Sequence, residues 1–331
     1  MAPRTIIALA LALAVGLVAC TSDSTDFETL LDASAPDTRL PDDPFERGLG
    51  AVGSQDAFDV MTWNLREFPK RGSITLKAVA NVISAVQPDI VAVQEVNDGH
   101  ALFDLAASMP GWEADVQEFY KPDGYYNPPV GMLWNSATVQ IRQRSVILDG
   151  DYLAFPRPPL LLEITWQGID FVVISVHLKA LGDNQIDYDD PWDEEMRRIA
   201  ACEQLEEFIS TYYPNSRVVV AGDFNDEIAE PISTNVFMAF LDKPDQYLFA
   251  DMPIAMRQES VPSYPSWASH IDHILITNEL FSSYNRPDSF TRTIAVDTYF
   301  MNSLAEYQDN VSDHRPVFMH LDVDKDLQSV P

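Results

Sequence analysis

Polar residues of a few types recur in this sequence at the ends of short, β-branched, apolar runs. An isolated polar residue in such a place is usually solvated, but six runs that end this way are hard to explain as surface. The pattern predicts that several strand ends converge on one pocket. The residues concerned are Asn64, Glu95, His177, Asp223, Asn225, Asp272, Asp313 and His314.

The oxygen-bearing members of this set suit a metal ion. Glu95, Asp223 and Asp313 offer carboxylates, and Asn64 and Asn225 offer neutral amide oxygens. Hard oxygen ligands favour Mg²⁺, Mn²⁺ or Ca²⁺, whereas zinc prefers cysteine and histidine. We therefore expect Mg²⁺ as the cofactor, with Mn²⁺ or Ca²⁺ as alternatives.

The two histidines of the set, His177 and His314, suit proton transfer. A free imidazole titrates at about 6.5, so histidine can act as a base and as an acid near neutral pH. His314 directly follows the possible ligand Asp313. Asp223 and Asn225 are two residues apart and would point to the same side of an extended backbone.

These side chains need strands and helices to position them, and the hydrophobic pattern predicts both. Helical spacing of apolar residues is found at 76–86, closed by Pro88, and at 196–209. We expect 130–134 to pair with 139–147, and 160–166 to form a hairpin with 170–177. Hairpins mixed with helices predict two packed sheets with helices outside. Further strands are expected at 58–63, 90–94, 218–221, 273–276 and 316–321.

The first residues of the chain have the character of a targeting segment. Arg4 precedes an apolar run at 6–18, which is shorter than the roughly 20 residues of a membrane-spanning helix. The run ends in Leu17-Val18-Ala19-Cys20 and resembles the lipobox of bacterial lipoproteins. A plain secretory signal with a chance cysteine is the alternative.

This reading divides the chain into four parts. We expect a signal peptide at 1–19, a lipidated Cys20 with a disordered tether at 20–55, a catalytic domain at 56–324 and a tail at 325–331. The protein would cross the inner membrane and be held by its lipid, at the bacterial outer membrane or cell surface. The domain itself contains one cysteine, Cys202, which we expect to be a buried thiol.

Six short motifs carry a family resemblance. In this order they resemble the endonuclease/exonuclease/phosphatase superfamily, and within it deoxyribonuclease I-like enzymes and bacterial secreted nucleases. The resemblance implies an α+β fold, a four-layer α/β/β/α sandwich of two packed mixed sheets with outer helices. The motifs are Thr62-Trp63-Asn64-Leu65-Arg66, Val93-Gln94-Glu95-Val96, Ser175-Val176-His177, Gly222-Asp223-Phe224-Asn225, Ile271-Asp272-His273 and Ser312-Asp313-His314-Arg315-Pro316.

The resemblance also implies a role for each residue. Glu95 is expected to be the main metal ligand, with Asn64 and Asp313 near the same ion. Asp223 and Asn225 would hold the scissile phosphate or a second ion. His314, oriented by Asp272, would take a proton from the attacking water, and His177 would protonate the leaving oxygen. Arg66 and Arg157 are candidates for flanking phosphates.

Three functions follow as hypotheses. The first is an extracellular deoxyribonuclease-like endonuclease, a metal-dependent phosphodiesterase with DNA as its partner. The second is a phosphatase or phosphodiesterase for phospholipids, inositol phosphates or nucleotides, since this core recognises a phosphoester and loops choose the rest. The third, an inactive surface binding protein, is disfavoured by the intact set. The formal net charge of −30 speaks against a polyanionic partner, and no protein partner is predicted.

Several features leave two interpretations open. The acidic insert 181–195 either forms a solvated loop or binds calcium, although its spacing does not match an EF-hand. Tyr125 and Tyr126 either line a groove or pack in a loop, and Arg197 and Arg198 either balance neighbouring glutamates or approach the cleft. We expect structural or exposed positions for the remaining histidines, His100, His270, His273 and His320.

Overall fold

The computed structural model describes residues 51–117, 127–257, 261–299 and 304–323. The expected signal peptide, Cys20, most of the tether, the tail, Tyr125 and Tyr126 lie outside these residues. The packed chain begins slightly ahead of the expected boundary at residue 56. Val52 is buried in the core, and the Gly53 amide donates to the Val86 carbonyl over 2.8 Å.

Within the described residues, twelve strands form two mixed sheets of six strands each. In each sheet one strand pair is parallel and the others are antiparallel. The first sheet contains β1 (Phe58–Phe68), β2 (Ile90–Val96), β3 (Trp112–Val116), β4 (Gly131–Asn135), β11 (Phe290–Thr293) and β12 (Val317–Leu321), in the order β11-β12-β1-β2-β4-β3. The second contains β5 (Val139–Val146), β6 (Leu160–Trp166), β7 (Ile169–His177), β8 (Val218–Asp223), β9 (Tyr247–Phe249) and β10 (Asp272–Thr277), in the order β5-β6-β7-β8-β10-β9.

Helices cover the outer face of each sheet. On the first sheet lie α1 (Ser73–Val86), α2 (Gly99–Ser108) and α7 (Leu304–Asn310), and on the second lie α3 (Glu194–Tyr212), α4 (Met238–Leu241) and α5 (Met252–Ala255). A short α6 (Phe281–Tyr284) and two 3₁₀ turns, Asn278–Leu280 and Val296–Tyr299, complete the elements. Among the helices of the described ranges, none is long and apolar enough to cross a membrane.

Strand alternation produces the layers. In β1 the Val60 side chain packs between the sheets, while Met61 packs under the helices of the first sheet. In β8 the Val219 side chain faces the first sheet, and Val218 and Val220 pack against α3 and α4. Both strands thus supply apolar side chains to both of their faces, as a strand covered on both sides requires. The expected four-layer α/β/β/α sandwich is confirmed.

Most of the expected elements are present, but one pairing is wrong. The hairpin of β6 and β7 turns at Gln167-Gly168, with Trp166 opposite Ile169. The expected pair 130–134 and 139–147 does not form, because β4 pairs with β2 and β3 in one sheet while β5 pairs with β6 in the other. The short segment between them therefore crosses from sheet to sheet. Cys202 is a buried free thiol on α3, as expected.

The register brings the polar strand ends to one edge of the sandwich. β1 and β2 run parallel, so Asn64 and Glu95 emerge side by side. β7 and β8 also run parallel, with His177 opposite Asp223, and the antiparallel β10 begins with Asp272 opposite the same Asp223. Gly222 permits this closeness, since a Cβ atom there would lie 2.1 Å from the Val176 carbonyl oxygen.

Candidate active site

A cleft of about 710 Å³ opens at this edge of the two sheets. Seven of the predicted site residues line it: Arg66, Glu95, His177, Asp223, Asn225, Asp313 and His314. Asn64 and Asp272 are buried beneath it, within hydrogen-bonding distance of residues that line it. Arg157 does not line the cleft, but its charge acts on Glu95, Asp223 and His177.

Local backbone turns aim these side chains. Arg66, Glu95 and Asn225 have φ angles of 37°, 59° and 57°, in the left-handed region that few non-glycine residues adopt. The Asn64 side chain accepts the Arg66 amide over 2.9 Å, and the Asp223 side chain accepts the Asn225 amide over 2.9 Å. The chain leaves the strand at Asp223, and the left-handed backbone at Asn225 together with this hydrogen bond turns it at the cleft. Residues in sparsely populated backbone regions cluster at functional sites.

Several carboxylates converge on one side of the cleft. Asn64 Nδ2 donates to Asp223 Oδ2 over 2.8 Å and to Glu95 Oε1 over 3.3 Å. Asp313 forms an ion pair with Arg66 over 2.9 Å at the cleft mouth. Burial raises the pKa of Asp223 to about 7, and the neighbouring Asp272 carboxylate adds to this rise. Asp223, Asp272 and His314 have possible ligand atoms within 4.8 Å of one another, and Glu95 and Asp313 line the same cleft. These carboxylate oxygens fit a hard divalent cation.

Asp272 and His314 form a carboxylate–imidazole dyad at the back of the cleft. Asp272 Oδ2 lies 2.8 Å from His314 Nδ1, while His314 Nε2 lies 4.0 Å from oxygens of both Asp223 and Asp313. Burial opposes the charged form of His314. The Asp272 carboxylate outweighs this effect, with help from Asp223 and Asp313, and raises the pKa of His314 to about 10. Nδ1 is thereby held by Asp272, and Nε2 faces the cleft.

His177 has the opposite electrostatic environment. Its side chain is 2% exposed, and its Nε2 lies 3.5 Å from Asp223 Oδ2. Burial lowers the pKa of His177 well below its usual value, and the positive charges of Arg157 and His314 lower it further. No hydrogen-bond partner for its Nδ1 is found in the part of the chain that the structure describes. The surroundings thus favour the neutral form of His177 and, in the protein alone, the charged form of His314.

The two predicted phosphate-binding arginines differ in position. Arg66 is 41% exposed at the cleft mouth. Arg157 is half-buried, and its Nη1 donates to the Leu178 carbonyl over 3.4 Å, next to His177. Burial lowers the pKa of Arg157, while the Glu95 and Asp223 carboxylates act in the opposite direction. Arg66 can meet a ligand directly, and Arg157 contributes positive charge from behind the cleft.

Some residues of the cleft were missed by sequence reasoning. The Tyr264 ring lies 4.8 Å from the His314 ring, and Trp267, 78% exposed, lies beside it on the rim. Their signal is weak, since they are aromatics in a loop shortly before the Ile271-Asp272 motif. Asp226 also lines the cleft and was not singled out. Arg198, for which two interpretations were open, fits both of them, since it lines the cleft and pairs with Glu195. In the acidic insert, Asp183 is exposed at the cleft, but Glu195 is buried on α3.

A second carboxylate–histidine cluster lies next to the cleft and is sealed from it. Asp251 Oδ2 lies 2.9 Å from His270 Nε2 and 2.5 Å from His273 Nδ1. The other ring nitrogens also have partners, because the Ser263 amide donates to His270 Nδ1 and His273 Nε2 contacts the Asp226 carbonyl. With every ring nitrogen occupied, the cluster holds structure together. His270 and His273 are buried, His100 is exposed and His320 is partly buried.

Several solved structures share this fold. TDP2 of D. rerio, in complex with a single-strand DNA product, is 13% identical and aligns over 80% of this chain and 98% of its own with a TM-score of 0.56. The human Nocturnin catalytic domain, with a bound sulfate anion, is 18% identical over 82% and 96%, with a TM-score of 0.54. A mannosyl-6-phosphatase of Bacteroides thetaiotaomicron is 14% identical over 80% and 99%, with a TM-score of 0.52.

One of two sequence comparisons finds a match for this chain. None of the curated proteins compared with this chain matches it in sequence. The family model for the Endonuclease/Exonuclease/phosphatase family matches residues 61–314, a range that begins in β1 and ends at His314. The cleft, its carboxylates and its dyad all lie within that range. The chain therefore belongs to the Endonuclease/Exonuclease/phosphatase family, whose members act as hydrolases on phosphoester bonds.

Proposed function

We propose that this chain is a metal-dependent phosphoesterase in which His314 activates the attacking water. The observation that carries the proposal is the Asp272–His314 dyad, whose free Nε2 opens onto a cleft that also contains Glu95 and Asp313. A base, a cation-binding carboxylate set and room for a phosphoester thus meet in one place. This is the combination that metal-assisted hydrolysis requires.

The carboxylate set would hold the cation. Glu95, Asp313 and Asn64 are the proposed ligands, and Mg²⁺ is the cation that their hard oxygens favour, with Mn²⁺ or Ca²⁺ as alternatives. When bound, the cation would withdraw electron density from the phosphoryl group and offset the charge that builds on its oxygens. Arg66, paired with Asp313 over 2.9 Å, lies where it could meet a flanking phosphate.

Asp272 fixes the orientation of the base. Because His314 Nδ1 lies against Asp272 Oδ2, the ring keeps Nε2 directed at the cleft, where the attacking water would stand. The carboxylates that raise the pKa of His314 hold it protonated in the protein alone. Positive charge in the cleft opposes those carboxylates, so a neutral His314 is the form expected when a cation is bound.

His177, Asp223 and Asn225 would serve the phosphate and the leaving oxygen. The lowered pKa of His177 favours its neutral form, so its N–H would donate a hydrogen bond to the leaving oxygen. Asn225 Nδ2 donates to the Leu178 carbonyl over 3.2 Å, which fixes its amide beside His177. Donors fixed before the reaction begins are commonly worth about 3–4 kcal/mol each in such sites.

DNA is the first candidate substrate, as a target for an endonuclease. A neighbouring fold, TDP2 of D. rerio, is described with a single-strand DNA product. The exposed Trp267 indole on the cleft rim supports this choice, because bases stack on exposed aromatic rings. Arg66 and Arg157 would supply local positive charge against the acidic surface of the protein.

A small phosphoester is the second candidate, favoured by a different observation. The cleft lining includes Asp183, Glu227 and Glu230, which would repel an extended polyanion. A sugar or nucleotide phosphate presents fewer charges to that lining. The Bacteroides thetaiotaomicron neighbour is described as a mannosyl-6-phosphatase.

We also propose that the protein acts outside the cell from a lipid anchor. The apolar run at 6–18 and the lipobox-like Leu17-Val18-Ala19-Cys20 support this location. A Cys20→Ser variant should lose its membrane attachment while the soluble domain stays active. Recovery of that variant in the membrane fraction would contradict the anchor.

The deciding experiment is a plasmid-nicking assay in Mg²⁺, run across salt concentrations beside hydrolysis of bis-p-nitrophenyl phosphate. Nicking by the wild type that is lost in His314→Ala would establish an endonuclease. Ester hydrolysis without nicking would select the small phosphoester. Absence of both activities in every divalent cation would refute the proposed function.

A further inference from the structure

Arg198 is a buried arginine whose contacts reach beyond its own helix. Its side chain is 2% exposed on α3. Its Nε donates to Asp226 Oδ2 over 2.8 Å, and its Nη2 lies 3.2 Å from Glu195 Oε1. Its Nη1 donates to two carbonyl oxygens, of Lys179 over 2.8 Å and of Leu181 over 2.6 Å. The guanidinium is thus held on all its nitrogens.

Glu195 lies on α3 itself, and the other three partners belong to the two loops that carry half of the cleft. Lys179 and Leu181 lie in the loop that begins directly after His177, whereas Asp226 directly follows Asn225. The loops also meet without Arg198, because the Leu178 amide donates to the Asp223 carbonyl over 3.0 Å. Arg198 adds charged hydrogen bonds behind this contact and fixes the spacing of the two loops.

The network continues from Asp226 to the dyad. The Asp226 carbonyl contacts His273 Nε2 over 2.9 Å, and His273 and His270 share the Asp251 carboxylate. His270 accepts the Ser263 amide, and the Ser263 hydroxyl accepts the Asp272 amide over 3.2 Å. A continuous series of buried hydrogen bonds therefore runs from α3 to the backbone of the residue that orients His314.

Stability alone is a weak reason for such a group. The desolvation of a buried ion pair often cancels its attraction, so that apolar side chains of similar volume would stabilise a fold equally well. What an apolar residue cannot supply is a planar fork that fixes several acceptors at once. Displacement of a catalytic group by about 1 Å can cost about 10²-fold in rate.

We propose that Arg198 is a positioning residue for the reaction. It clamps the loop after His177 to the loop after Asn225 and, through Asp226, His273 and Asp251, keeps both in register with Asp272. The inference rests on the proposed function for its kinetic test. Its structural content, the coupling of the two loops, has a test of its own.

The kinetic test uses Arg198→Lys, which keeps the charge and loses the fork, and Asp226→Asn, which keeps the shape and weakens the pair. With bis-p-nitrophenyl phosphate and Mg²⁺, each should lower kcat about 10–100-fold and change KM less than about threefold. The kcat of the double variant should be no lower than that of the worse single variant, because both substitutions disrupt the same Arg198–Asp226 contact. The clamp would be overturned if the double variant lost kcat by the product of the two single losses, or if the kcat of Arg198→Lys stayed within about twofold of wild type.

Glu206→Gln is the matched control. Glu206 lies on the same helix and is also mostly buried, with Lys243 at 2.6 Å and the Tyr247 hydroxyl at 3.0 Å, but its contacts lead away from the cleft. It should cost stability and leave kcat near the wild-type value. If it lowers kcat as much as Arg198→Lys does, the effect is general loosening of α3 and the proposal fails.

Amide hydrogen exchange tests the clamp without any activity. Arg198→Lys should speed exchange about tenfold or more in residues 178–184 and 224–230, at unchanged exchange in β6, whereas Glu206→Gln should leave both loops as they are. Unchanged exchange in those loops would overturn the clamp. If the wild type hydrolyses no phosphoester, the proposed function fails, and the exchange result still decides the clamp.

Discussion

Two carboxylate–histidine clusters lie side by side in the described part of this protein and differ in their access to the cleft. Asp272 and His273 are neighbours on β10, so their side chains leave opposite faces of the strand. Asp272 turns to His314 at the cleft, whereas His273 turns to Asp251 among the rings of Phe224, Phe237 and Phe249. The same residue types make a site open to a ligand on one face and a sealed structural cluster on the other.

The difference lies in the ring nitrogens. In the sealed cluster every imidazole nitrogen has a protein partner, and the Ile274 amide occupies the second Asp251 oxygen over 2.8 Å. In the dyad, His314 Nε2 faces the cleft with carboxylates at 4.0 Å, beyond hydrogen-bonding distance. A histidine becomes available for chemistry when packing leaves one nitrogen accessible, and residue type alone does not decide this.

The largest expected effect is the loss of activity when the cation is removed from the open cluster, the Asp272–His314 dyad and the carboxylates beside it in the cleft. With EDTA, hydrolysis of bis-p-nitrophenyl phosphate should fall to background, because the carboxylates of the cleft would then repel the phosphoester. Circular dichroism should show an unchanged fold, since every ring nitrogen of the sealed cluster already has a protein partner. Restoration by added Mg²⁺ is the control, and full activity in chelator would refute the metal mechanism.

Loss of single site residues should come next. His314→Ala, His177→Ala and Glu95→Ala should each lower kcat about 10²–10⁴-fold, since each removes proton transfer or charge stabilisation. Their melting temperatures should remain close to that of the wild type. The comparison would break if His273→Ala reduced kcat as much at an equally unchanged melting temperature.

The sealed cluster should respond in stability. Asp251→Asn leaves His270 and His273 without their buried counter-charge, and breaking a buried pair costs about 3–5 kcal/mol. Urea unfolding monitored by tryptophan fluorescence would measure this loss. Asp272→Asn is the matched variant at the open cluster, where a smaller loss of stability and a larger loss of kcat are expected. Equal unfolding free energies for wild type and Asp251→Asn would contradict the assignment.

The smallest expected effect is on the pH dependence of that stability. The pKa of Asp251 lies well below its usual value because His273 and His270 outweigh its burial, and the pKa of His273 is raised by Asp251 against its own burial. Asp251 therefore stabilises the fold above its unfolded pKa of about 3.9 and loses this effect as pH falls. His273 contributes fully below about 6.5 and loses its contribution as pH rises through its folded pKa.

The stability that this cluster adds should thus peak between about pH 4 and 6.5. The measurement is the difference in unfolding free energy between wild type and Asp251→Asn, taken from pH 3 to pH 9. This difference should become smaller by about 1–2 kcal/mol toward pH 3 and toward pH 9. A difference that stays constant with pH would mean that the cluster is not an ion pair.

The local pattern of the sequence predicted most of the fold. Alternating apolar runs marked the strands at the site, and the hairpin at Gln167-Gly168 was visible from its turn residues. The predicted pairing of 130–134 with 139–147 was wrong, because an apolar pattern indicates which side chains are buried and does not indicate in which sheet their strand lies. The pairing of β4 with β2 is decided by contacts far along the chain, as between Ile90 and Trp134.

The candidate site was predictable in its membership more than in its arrangement. Seven of the named residues line one cleft because each stands at the end of a strand, and the parallel pairs deliver those ends to one edge. Arg157 lies behind the cleft instead of on it, and Tyr264 and Trp267 had no periodic signal to announce them. Loop residues reach the cleft through the path of the backbone, which local sequence does not encode.

By itself the sequence determined the chemical inventory: hard oxygen donors, two histidines in family motifs and apolar strands that end in them. Only the tertiary structure decided how that inventory is used. It placed His177 and His314 at the cleft and His270 and His273 in the sealed cluster. It also lowered the pKa of His177, raised that of His314, and buried Arg198 between two loops. The physical reason is that pKa values, access and hydrogen-bond partners are properties of surroundings, and those surroundings come from segments up to hundreds of residues apart, as Trp63 and the His314 carbonyl are.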